Sequence, residues 1–518
     1  MSFNYPLEGL YSEGATRLVM YFAFGVALAL LLQSVYSAWI LRHIPTEGSS
    51  TIPLLSYKGA YDFLDDITGV FNRGYAKYKG RLFKVAFTDR WIVVVTGKDL
   101  LDDLHRLPKD TTSFMHAAGD LTGSPYIFGH GMIDDPWHVP IIRDRLTKHL
   151  PSAFPAIYDE ISTSLRELMP SCAKEWTPVP ALKLSRTIVA RTSNRVFVGL
   201  PVCRNEGFLN LLVDFASDVG RTRNILAWVS PAFKGVVAKM VTKVRPRIEA
   251  GMRYLGPTIK ERRDLARQLG DSWSDKPDDM LQWMVDAVSA RHGPDEDVVR
   301  GVFATNFAAI NTSSSSFTHA LYHLAANPRY IDPLREEVDA VIAEEGWTKT
   351  ALGKMWRLDS FMRESLRHNS INPFTVRRKA LKTFAFSDGT VIPRGTVLVT
   401  PPYATHFDEG NFDNAAAFDP WRFVHEEERD NSPAKHQFVT ASTEYVGWGH
   451  GKHACPGRFF AATELKIMMA YVVVHYDVKF EREGVRPANV HKALTISPDP
   501  KAQVLFRERS PMRLEPIV

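Results

Sequence analysis

Most of the chain follows a helical pattern, in which apolar residues recur three and four positions apart. The pattern covers residues 137–268 and is interrupted mainly at prolines, which end or kink helices. These interruptions fall at Pro151, Pro201 and Pro231. One long helix is predicted over 297–326, where Asn327-Pro328 stops it. Further helices are predicted near 331–345, near 359–369 and from about Gly457 onward.

Short alternating stretches predict a small amount of β-structure. Residues 82–95 predict a hairpin that turns at Thr88-Asp89-Arg90, and residues 383–401 predict a strand pair that turns at Asp388-Gly389. Residues 110–135 are rich in Gly, Thr, Asp and His and predict a long loop. The fold class is therefore mainly α with a minor β-sheet region, in one large unit over residues 61–518.

The N-terminal residues 18–41 are almost entirely apolar, and no charge lies between Arg17 and Arg42. At 1.5 Å per residue, about 24 residues reach about 36 Å, which exceeds a hydrocarbon core of about 30 Å. We predict a transmembrane anchor at 18–41, a lumenal tail at 1–17 and a linker at 42–60. A buried core helix is the alternative. Positive charge after the anchor, at Arg42 and Lys58, places the body in the cytosol.

Composition excludes several classes of protein. Hydrophobic residues make up 45% and charged residues 23%, which is ordinary for a globular protein and excludes collagen-like and disordered chains. A net charge of +5 over 518 residues is too dilute for a dedicated nucleic-acid binder. Cys172, Cys203 and Cys455 are odd in number and far apart, which argues against a disulfide framework and favours a reducing compartment.

The segment WGHGKHACPG carries the strongest chemical signal in the body. It places Cys455 at the end of a glycine-rich turn, directly before a predicted helix. The free N–H groups and the positive dipole end of a helix start stabilise a thiolate, the form of cysteine that binds metal. Three interpretations stay open: a loop cysteine without a role, a zinc site with His450 and His453, and an axial thiolate on haem iron.

The pattern aromatic-Gly-x-Gly-x-(Arg or His)-x-Cys-x-Gly resembles the haem-binding loop of the cytochrome P450 family. Trp448 stands where the family usually has phenylalanine. The resemblance implies the cytochrome P450 fold and a haem cofactor, with Cys455 as the axial ligand of its iron and with Trp448, Gly449 and Gly451 in the cofactor-binding loop. The stretches ARTSNRVFVGLPVCRNEG and HGKHACPGRFFAATELK are similar to fungal microsomal members that act in secondary metabolism.

Two further segments match the family in the right order. Glu364-Ser365-Leu366-Arg367 resembles its Glu-x-x-Arg motif, whose two charges share a helix face at i and i+3. The segment FDPWRF resembles its Pro-x-Arg-Phe segment. The resemblance implies that Arg422 joins Glu364 and Arg367 in a buried charge network that fixes the cysteine loop, and such a network needs all of its partners. A surface ion pair is the alternative for the first motif.

The resemblance also implies cations for the haem propionates. His453 stands two positions before the cysteine, where the family has arginine or histidine, and Arg377 stands ten after Arg367, where many members carry such an arginine. Arg143 lies where the helix after the first long loop usually supplies another. The tryptophan that the family has four positions before that arginine is absent, and His138 lies nearby. A solvated surface cation is the alternative for each.

The stretch AAINT at 308–312 resembles the oxygen-binding helix of the family. Many members have an acid followed by threonine, and here Asn311 replaces the acid while Thr312 is retained. We predict catalytic roles for both residues. Because asparagine cannot titrate, any proton relay must run through water, Thr312 or another group. The hydroxyls of residues 312–316 could bond back to the preceding turn and open the helix, or they could merely satisfy themselves.

The resemblance implies a membrane-anchored monooxygenase of the endoplasmic reticulum, with its catalytic domain in the cytosol. It would use O₂ and electrons from an NADPH–cytochrome P450 reductase to oxidise an apolar small molecule, a terpenoid or indole alkaloid of fungal secondary metabolite (mycotoxin) biosynthesis. Predicted substrate contacts are Ala304, Phe307, Ala308 and Phe374, with stretches 110–130, 205–235, 371–375 and 493–496.

Two alternatives remain from the sequence. Asn311 motivates a haem-thiolate isomerase or dehydratase that needs no O₂, and a membrane haem sensor is the other.

Overall fold

The computed structural model describes residues 13–52, 55–108, 110–129, 131–170, 175–229, 231–430, 432–492 and 494–509. Helices dominate these ranges. They are α1 (Glu13–Ile40), α2 (Leu55–Asp65), α3 (Ile67–Tyr78), α4 (Lys98–Arg106), α5 (Phe114–Thr122), α6 (Ser124–Phe128), α7 (Gly131–Asp134), α8 (His138–Pro140), α9 (Thr147–Leu168), α10 (Ala181–Phe197), α11 (Glu206–Ala227), α12 (Pro231–Val241), α13 (Val244–Leu269), α14 (Met280–Ser289), α15 (Asp295–Ala326), α16 (Ile331–Glu345), α17 (Lys349–Lys354), α18 (Trp356–His368), α19 (Pro402–His406), α20 (Arg422–Asp430), α21 (Pro433–His436) and α22 (Arg458–His475).

Short strands form the rest of the regular structure. They are β1 (Leu82–Ala86), β2 (Trp91–Val95), β3 (Thr112–Ser113), β4 (Thr177–Pro180), β5 (Thr375–Ala380), β6 (Phe384–Ala385), β7 (Val391–Ile392), β8 (Val397–Thr400), β9 (Tyr476–Lys479), β10 (Val490–Lys492), β11 (Thr495–Ser497) and β12 (Gln503–Glu508). The largest sheet has the order β1-β2-β8-β5-β3, and a second has the order β4-β12-β9. The pairs β6-β7 and β10-β11 stand apart. The prediction of a mainly helical fold with a minor sheet region is confirmed.

Helix α15 lies at the centre of the helical part. It packs against α10, α11, α13, α14, α18 and α22, and most of its length is buried in the principal hydrophobic cluster. Three acidic residues occupy its first turn, where the positive end of the helix dipole favours them, and it ends at Ala326 before Asn327-Pro328 as predicted. This central helix provides one wall of the site described below.

The large sheet carries a defect that matters for the site. β2 pairs with β8 in parallel and β5 pairs with β8 antiparallel, with a shift of register between Thr375 and Arg378. Val376 adopts a φ of 45°, a conformation that is rare for a β-branched residue. An irregularity of this kind re-aims the side chains that follow it.

Several predicted elements differ from the structure. Residues 110–135 are wrongly predicted as a loop: they contain β3 and the helices α5, α6 and α7. The glycines that suggested a loop end these helices instead, since Gly123 and Gly129 adopt φ values of 68° and 88° at their C-termini. Pro151 does not interrupt a helix and lies inside α9, whereas the predicted interruption at Pro201 is confirmed.

The strand prediction over 383–401 is correct only in its first half. β6 and β7 pair around Asp388-Gly389 as predicted, but β8 joins the large sheet between β2 and β5. The hairpin at 82–95 is confirmed by the pairing of β1 with β2.

The N-terminal prediction is only partly supported. Residues 13–40 form α1, while residues 1–12 of the predicted tail and the C-terminal residues 510–518 lie outside the described residues. Within the described part of the chain, no helix combines the length and apolar character needed to cross a membrane. The predicted transmembrane anchor at 18–41 is therefore not confirmed.

Candidate active site

Cys455 lies at the end of a tight loop that leads directly into α22. The backbone N–H of Cys455 donates to the carbonyl of Trp448 at 2.7 Å, which closes the loop. Gly449 and Gly451 have φ values of 79° and 66°, in the left-handed region that favours glycine. A Cβ at Gly451 would lie 1.9 Å from Nδ1 of His105, so only glycine fits there. The loop therefore holds Cys455 in one fixed position.

The surroundings of the Cys455 thiol suit a metal-bound thiolate. The backbone N–H groups of Gly457 and Arg458 and the Arg458 guanidinium all favour the thiolate form of Cys455. Burial nevertheless raises the pKa of the Cys455 thiol, because desolvation outweighs these three favourable contacts. A cation bound to the sulfur would reverse that balance. Arg458 was missed by the sequence analysis, although a base three positions after the cysteine was visible.

Trp448 anchors the start of the loop. Its indole N–H donates to the carbonyl of Phe438 at 2.6 Å, and the two rings pack 5.3 Å apart. Phenylalanine, which the family usually has here, cannot make that hydrogen bond. The substitution thus adds a polar fastening to an aromatic contact.

A zinc site at this loop finds no support. Among the described residues, no group of three or more His, Cys, Asp or Glu side chains could hold a metal ion. The His450 ring packs against His105 with centroids 5.2 Å apart, and its Nδ1 and Nε2 have no hydrogen-bond partner. A metal that takes a single protein ligand, as haem iron does, remains compatible with Cys455.

Behind the loop lies the predicted charge network of Glu364, Arg367 and Arg422. Nε and Nη2 of Arg367 donate to the two Glu364 oxygens at 2.6 and 2.7 Å, and Nε of Arg422 lies 3.3 Å from both. The remaining guanidinium N–H groups donate to backbone carbonyls, including those of His406 and Ala415. Glu364 and Arg367 are fully buried, so the surface-pair alternative is wrong.

The network reaches the cysteine loop through His406. The Nδ1–H of His406 donates to the Arg367 carbonyl at 2.9 Å, and Nε2 of His406 accepts from the backbone N–H of Val446 at 3.0 Å. Burial lowers the pKa of His406 to about 3, so the ring is neutral and can accept at one nitrogen while it donates at the other. His406 thereby connects Arg367 with Val446, two residues before the loop begins at Trp448.

A second part of the candidate site is one stripe of α15. Ala304, Phe307, Ala308, Asn311 and Thr312 recur at helical spacing, and all are half-buried or exposed although α15 lies at the centre of the fold. We call this stripe the open face of α15. Residues on the other sides of the helix, such as Phe303 and Ile310, are buried. An accessible stripe on a central helix requires an internal space beside it.

Helix α15 is not opened by its hydroxyls. The Thr312 hydroxyl donates to the Ala308 carbonyl at 2.7 Å, and the Ser314 hydroxyl donates to the Ile310 carbonyl at 2.6 Å, while the helix continues to Ala326. Of the two alternatives left open by the sequence, the structure shows hydroxyls that bond back to an unbroken helix. These hydroxyls complete the back-bonds that serine and threonine commonly form in helices.

Arg377 and Arg378 supply unsatisfied positive charge near the cysteine loop. In a regular strand they would face opposite ways, but the irregularity in β5 leaves Nε of both buried and without a partner. Burial lowers the pKa of each to about 10, and among the described residues no carboxylate pairs with either. Nη2 of Arg378 donates to the carbonyl of His450 at 3.1 Å, which ties β5 to the loop.

A third guanidinium belongs to the same group. Arg223 of α11 acts electrostatically on Arg377, and burial lowers its pKa to about 10 as well. It donates to the Thr495 hydroxyl at 2.6 Å, and its Nε has no partner. Three guanidiniums that have buried, unpartnered Nε atoms and no carboxylate partner among the described residues fit the two propionates of haem. Arg223 and Arg378 were missed; only the Arg377-Arg378 doublet could have indicated the second.

The remaining predicted cations have different surroundings. Arg143 is half-exposed and pairs with its neighbour Asp144 at 3.1 Å, so its role toward a propionate stays a prediction. A π-helix over Ile141–Leu146 precedes α9 and contains Arg143, while His138 lies before it in α8. Burial lowers the pKa of His138 to about 4, and its Nδ1 has no partner. His453 is half-buried in the 3₁₀ turn Gly451–His453.

The predicted substrate residues lie on two elements. Ala304, Phe307 and Ala308 belong to the open face of α15, and the Phe307 ring packs 5.9 Å from that of Phe128. Phe374 is buried before β5, with its ring 5.9 Å from the Arg377 guanidinium. Ala493, at the start of the last predicted stretch, lies outside the described residues.

Comparison with known proteins indicates the same family as the cysteine loop does. The family model for cytochrome P450 matches residues 48–506. Cytochrome P450 monooxygenase 151 of Postia placenta is 44% identical over 494 residues, which cover 95% of this chain and 98% of that protein. Cytochrome P450 monooxygenase CYP512U6 of Ganoderma lucidum is 34% identical over 90% of this chain and 92% of its own length. Ent-kaurene oxidase P450-4 of Gibberella fujikuroi is 28% identical over 93% and 98%.

Proposed function

The chain belongs to the cytochrome P450 family of haem-thiolate monooxygenases, and we propose that it inserts one oxygen atom of O₂ into an apolar terpenoid or indole alkaloid of fungal secondary metabolism. The observation that carries the proposal is the fixed position of Cys455, at the end of a loop closed by its N–H bond to the Trp448 carbonyl and directly before α22. Haem bound there supplies the activation of O₂. The overall reaction joins O₂, two electrons, two protons and R–H to give R–OH and water.

The residues present fit both the iron and the propionates of haem. Cys455 would hold the iron, and the unpaired guanidiniums of Arg377, Arg378 and Arg223 would hold the propionates together with His453. The open face of α15 would border the side on which O₂ and substrate meet. The Thr312 hydroxyl, whose own proton goes to the Ala308 carbonyl, would accept a hydrogen bond on that side.

The proposed substrate class rests on the apolar nature of the open face of α15. Ala304, Phe307 and Ala308 offer apolar surface on the open face of α15. One relative is named for the oxidation of ent-kaurene, a diterpene hydrocarbon. We therefore favour a polycyclic terpenoid, with an indole alkaloid as the second choice.

Electrons would come from an NADPH–cytochrome P450 reductase that docks on the side of the cysteine loop. Lys98, Arg106 and Lys452 are exposed on α4 and in the loop, and acidic patches on a partner would complement them. Reduction by the reductase should then slow as ionic strength rises.

Membrane attachment through the N-terminal segment is also part of the proposal. Leu18, Phe24 and Trp39 of α1 expose 72%, 69% and 60% of their surface, which is costly in water. We place the enzyme at the endoplasmic reticulum membrane with its catalytic part in the cytosol. Extraction of the full chain and of a chain lacking residues 1–41 with alkaline carbonate tests the attachment, because only the full chain should stay in the pellet.

The experiment for the activity is co-expression with a reductase and a panel of terpenoid hydrocarbons and indole alkaloids. The expected product carries one oxygen atom from isotopically labelled O₂, and Cys455→Ala is the matched control. Because Asn311 stands where many members of the family have an acid, a haem-thiolate isomerase or dehydratase is the second candidate. Full turnover without NADPH, reductase and O₂ would establish that candidate in place of the first.

A further inference from the structure

The start of the cysteine loop is held by a hydrogen bond that the usual phenylalanine of the family cannot make. Trp448 donates its indole N–H to the Phe438 carbonyl at 2.6 Å. Phe438 lies in a turn after α21, outside any helix or strand, although its side chain is buried. The bond fixes the Trp448 ring only if other parts of the fold hold that turn in place.

Arg363 of α18 holds the backbone just before Phe438. Its Nη1 donates to the carbonyls of Lys435 and Gln437 at 2.8 and 2.7 Å. Its guanidinium lies over the rings of Phe423 and Tyr445, at 4.3 and 4.5 Å from their centroids. The side chain is 3% exposed, so water does not compete for these contacts.

Two further charged side chains act on the same turn. Asp359 lies one helical turn before Arg363 on the same face of α18, and it accepts from the backbone N–H of Phe438. Nζ of Lys466 donates to Oδ1 of Asp359 and to a backbone carbonyl of α17, both at 2.6 Å. Lys466 belongs to α22, which begins three residues after Cys455. We call Asp359, Arg363 and Lys466 the second network.

The second network reaches different points of the cysteine loop from those that the Glu364 network reaches. The Glu364 network connects to the backbone at Val446. The second network connects to the side chain of Trp448, where the loop begins, and to α22, which follows the loop. Because both ends of the loop are joined to α18 in this way, the sulfur of Cys455 has little freedom to move. Groups behind a metal ligand commonly set its position in this manner.

We propose that Arg363 and its network position the Cys455 sulfur for the haem iron by holding the acceptor of the Trp448 indole. The three side chains act through Trp448 and α22, so they are positioning residues. The tryptophan that stands in place of phenylalanine and the fixed carbonyl of Phe438 then work as one unit. The inference rests on the proposed function, since it needs Cys455 as the iron ligand.

The test compares the haem-loaded full chain with Arg363→Met, Trp448→Phe and the double variant. Methionine keeps an apolar stem over the two rings but cannot donate to the carbonyls. The readout is the rate at which the red-shifted Soret band of the ferrous–CO form is lost in mild denaturant, followed beside circular dichroism. The matched control is Arg329→Met, because Arg329 is exposed and its guanidinium lies over the Tyr330 ring at 5.2 Å.

We expect Arg363→Met to lose the red-shifted band at least about tenfold faster than the wild type, since hydrogen bonds from a buried charged donor are the strong ones. Trp448→Phe should speed the loss to a similar degree. In the Trp448→Phe background, Arg363→Met should add less than about a twofold effect, because two residues that act through one contact are not additive. In each variant the band should disappear before the circular dichroism changes. Arg329→Met should behave as the wild type does.

Arg363→Lys should restore part of the rate, since lysine can also donate to backbone carbonyls. It also replaces Arg363→Met in the same two backgrounds if the methionine variant does not fold. A second readout is the iron–sulfur stretching band in the resonance Raman spectrum of the ferric form. It should broaden in both single variants and broaden no further in the double variant.

Two results would overturn the role of Arg363. One is a rate of band loss in Arg363→Met equal to that of the wild type. The other is an equal effect of Arg363→Met in both backgrounds, which would assign Arg363 to general stability alone. The proposed function fails separately: a haem-loaded wild type without the red-shifted band refutes Cys455 as the ligand, whereas a normal wild type with normal variants refutes only the second network.

Discussion

The substitution Glu364→Gln tests the buried charge network behind the cysteine loop. It removes the carboxylate that lies within 3.3 Å of both Arg367 and Arg422 and leaves two guanidiniums that are 0% and 6% exposed. The glutamine amide also directs N–H groups toward these donors. Breaking a buried ion pair by removing one partner costs about 3–5 kcal/mol. That is a large part of the total stability of about 5–15 kcal/mol that folded proteins have.

The assay is chemical denaturation of the haem-loaded variant, followed by circular dichroism. The matched control is Glu249→Gln, which removes the acid of an i,i+4 pair with Arg245 whose members are 64% and 91% exposed. Solvent screens that pair, so its loss should leave the midpoint almost unchanged. Loss of less than about 1 kcal/mol in Glu364→Gln, or equal effects of the two substitutions, would contradict the reasoning. A lower haem content in Glu364→Gln is also expected, since His406 links the network to Val446.

Three further predictions concern the cofactor and the second buried acid. Cys455→Ala should abolish the red-shifted Soret band of the ferrous–CO form, and survival of that band would show that Cys455 is not the ligand. Arg377→Ala should release haem to apomyoglobin faster than the wild type, because an unpaired buried guanidinium is lost, whereas the exposed Arg394→Ala should not. For Glu464 of α22, burial raises the pKa to about 8, so the folded state keeps a proton that the unfolded chain releases above pH 4.5. The wild type should therefore lose stability relative to Glu464→Gln as the pH rises from 4.5 to about 8. The expected loss is up to about 1.4 kcal/mol per pH unit. A difference between the two that does not change with pH would contradict this assignment.

Features that depend on neighbouring residues were predictable from the sequence. The hairpin at 82–95, the end of α15 before Asn327-Pro328 and the glycine-bearing cysteine loop all follow from local backbone preferences. The Glu364–Arg367 pair also belongs to this class, since i and i+3 of one helix always meet.

Features that depend on packing were not predictable. The glycines and polar residues of 110–135 are equally compatible with a loop and with short capped helices, and only contacts with α11, α12 and β5 decide between them. Arg378 would face away from Arg377 in a regular strand, and the irregularity at Val376 changes that. Arg223 lies on a helix with no sequence signal that connects it to β5.

The two buried glutamates show how surroundings assign opposite roles to one residue type. Glu364 lies between Arg367 and Arg422, so its negative charge is balanced and its loss exposes two cations to a desolvated interior. Glu464 accepts from the Ser193 hydroxyl, and no salt bridge reaches it among the described residues, so burial keeps its carboxyl protonated at neutral pH. The first arrangement suits a residue that fixes the cysteine loop. The second arrangement leaves a neutral acid in the interior, and its effect is a folding stability that falls as pH rises toward the raised pKa.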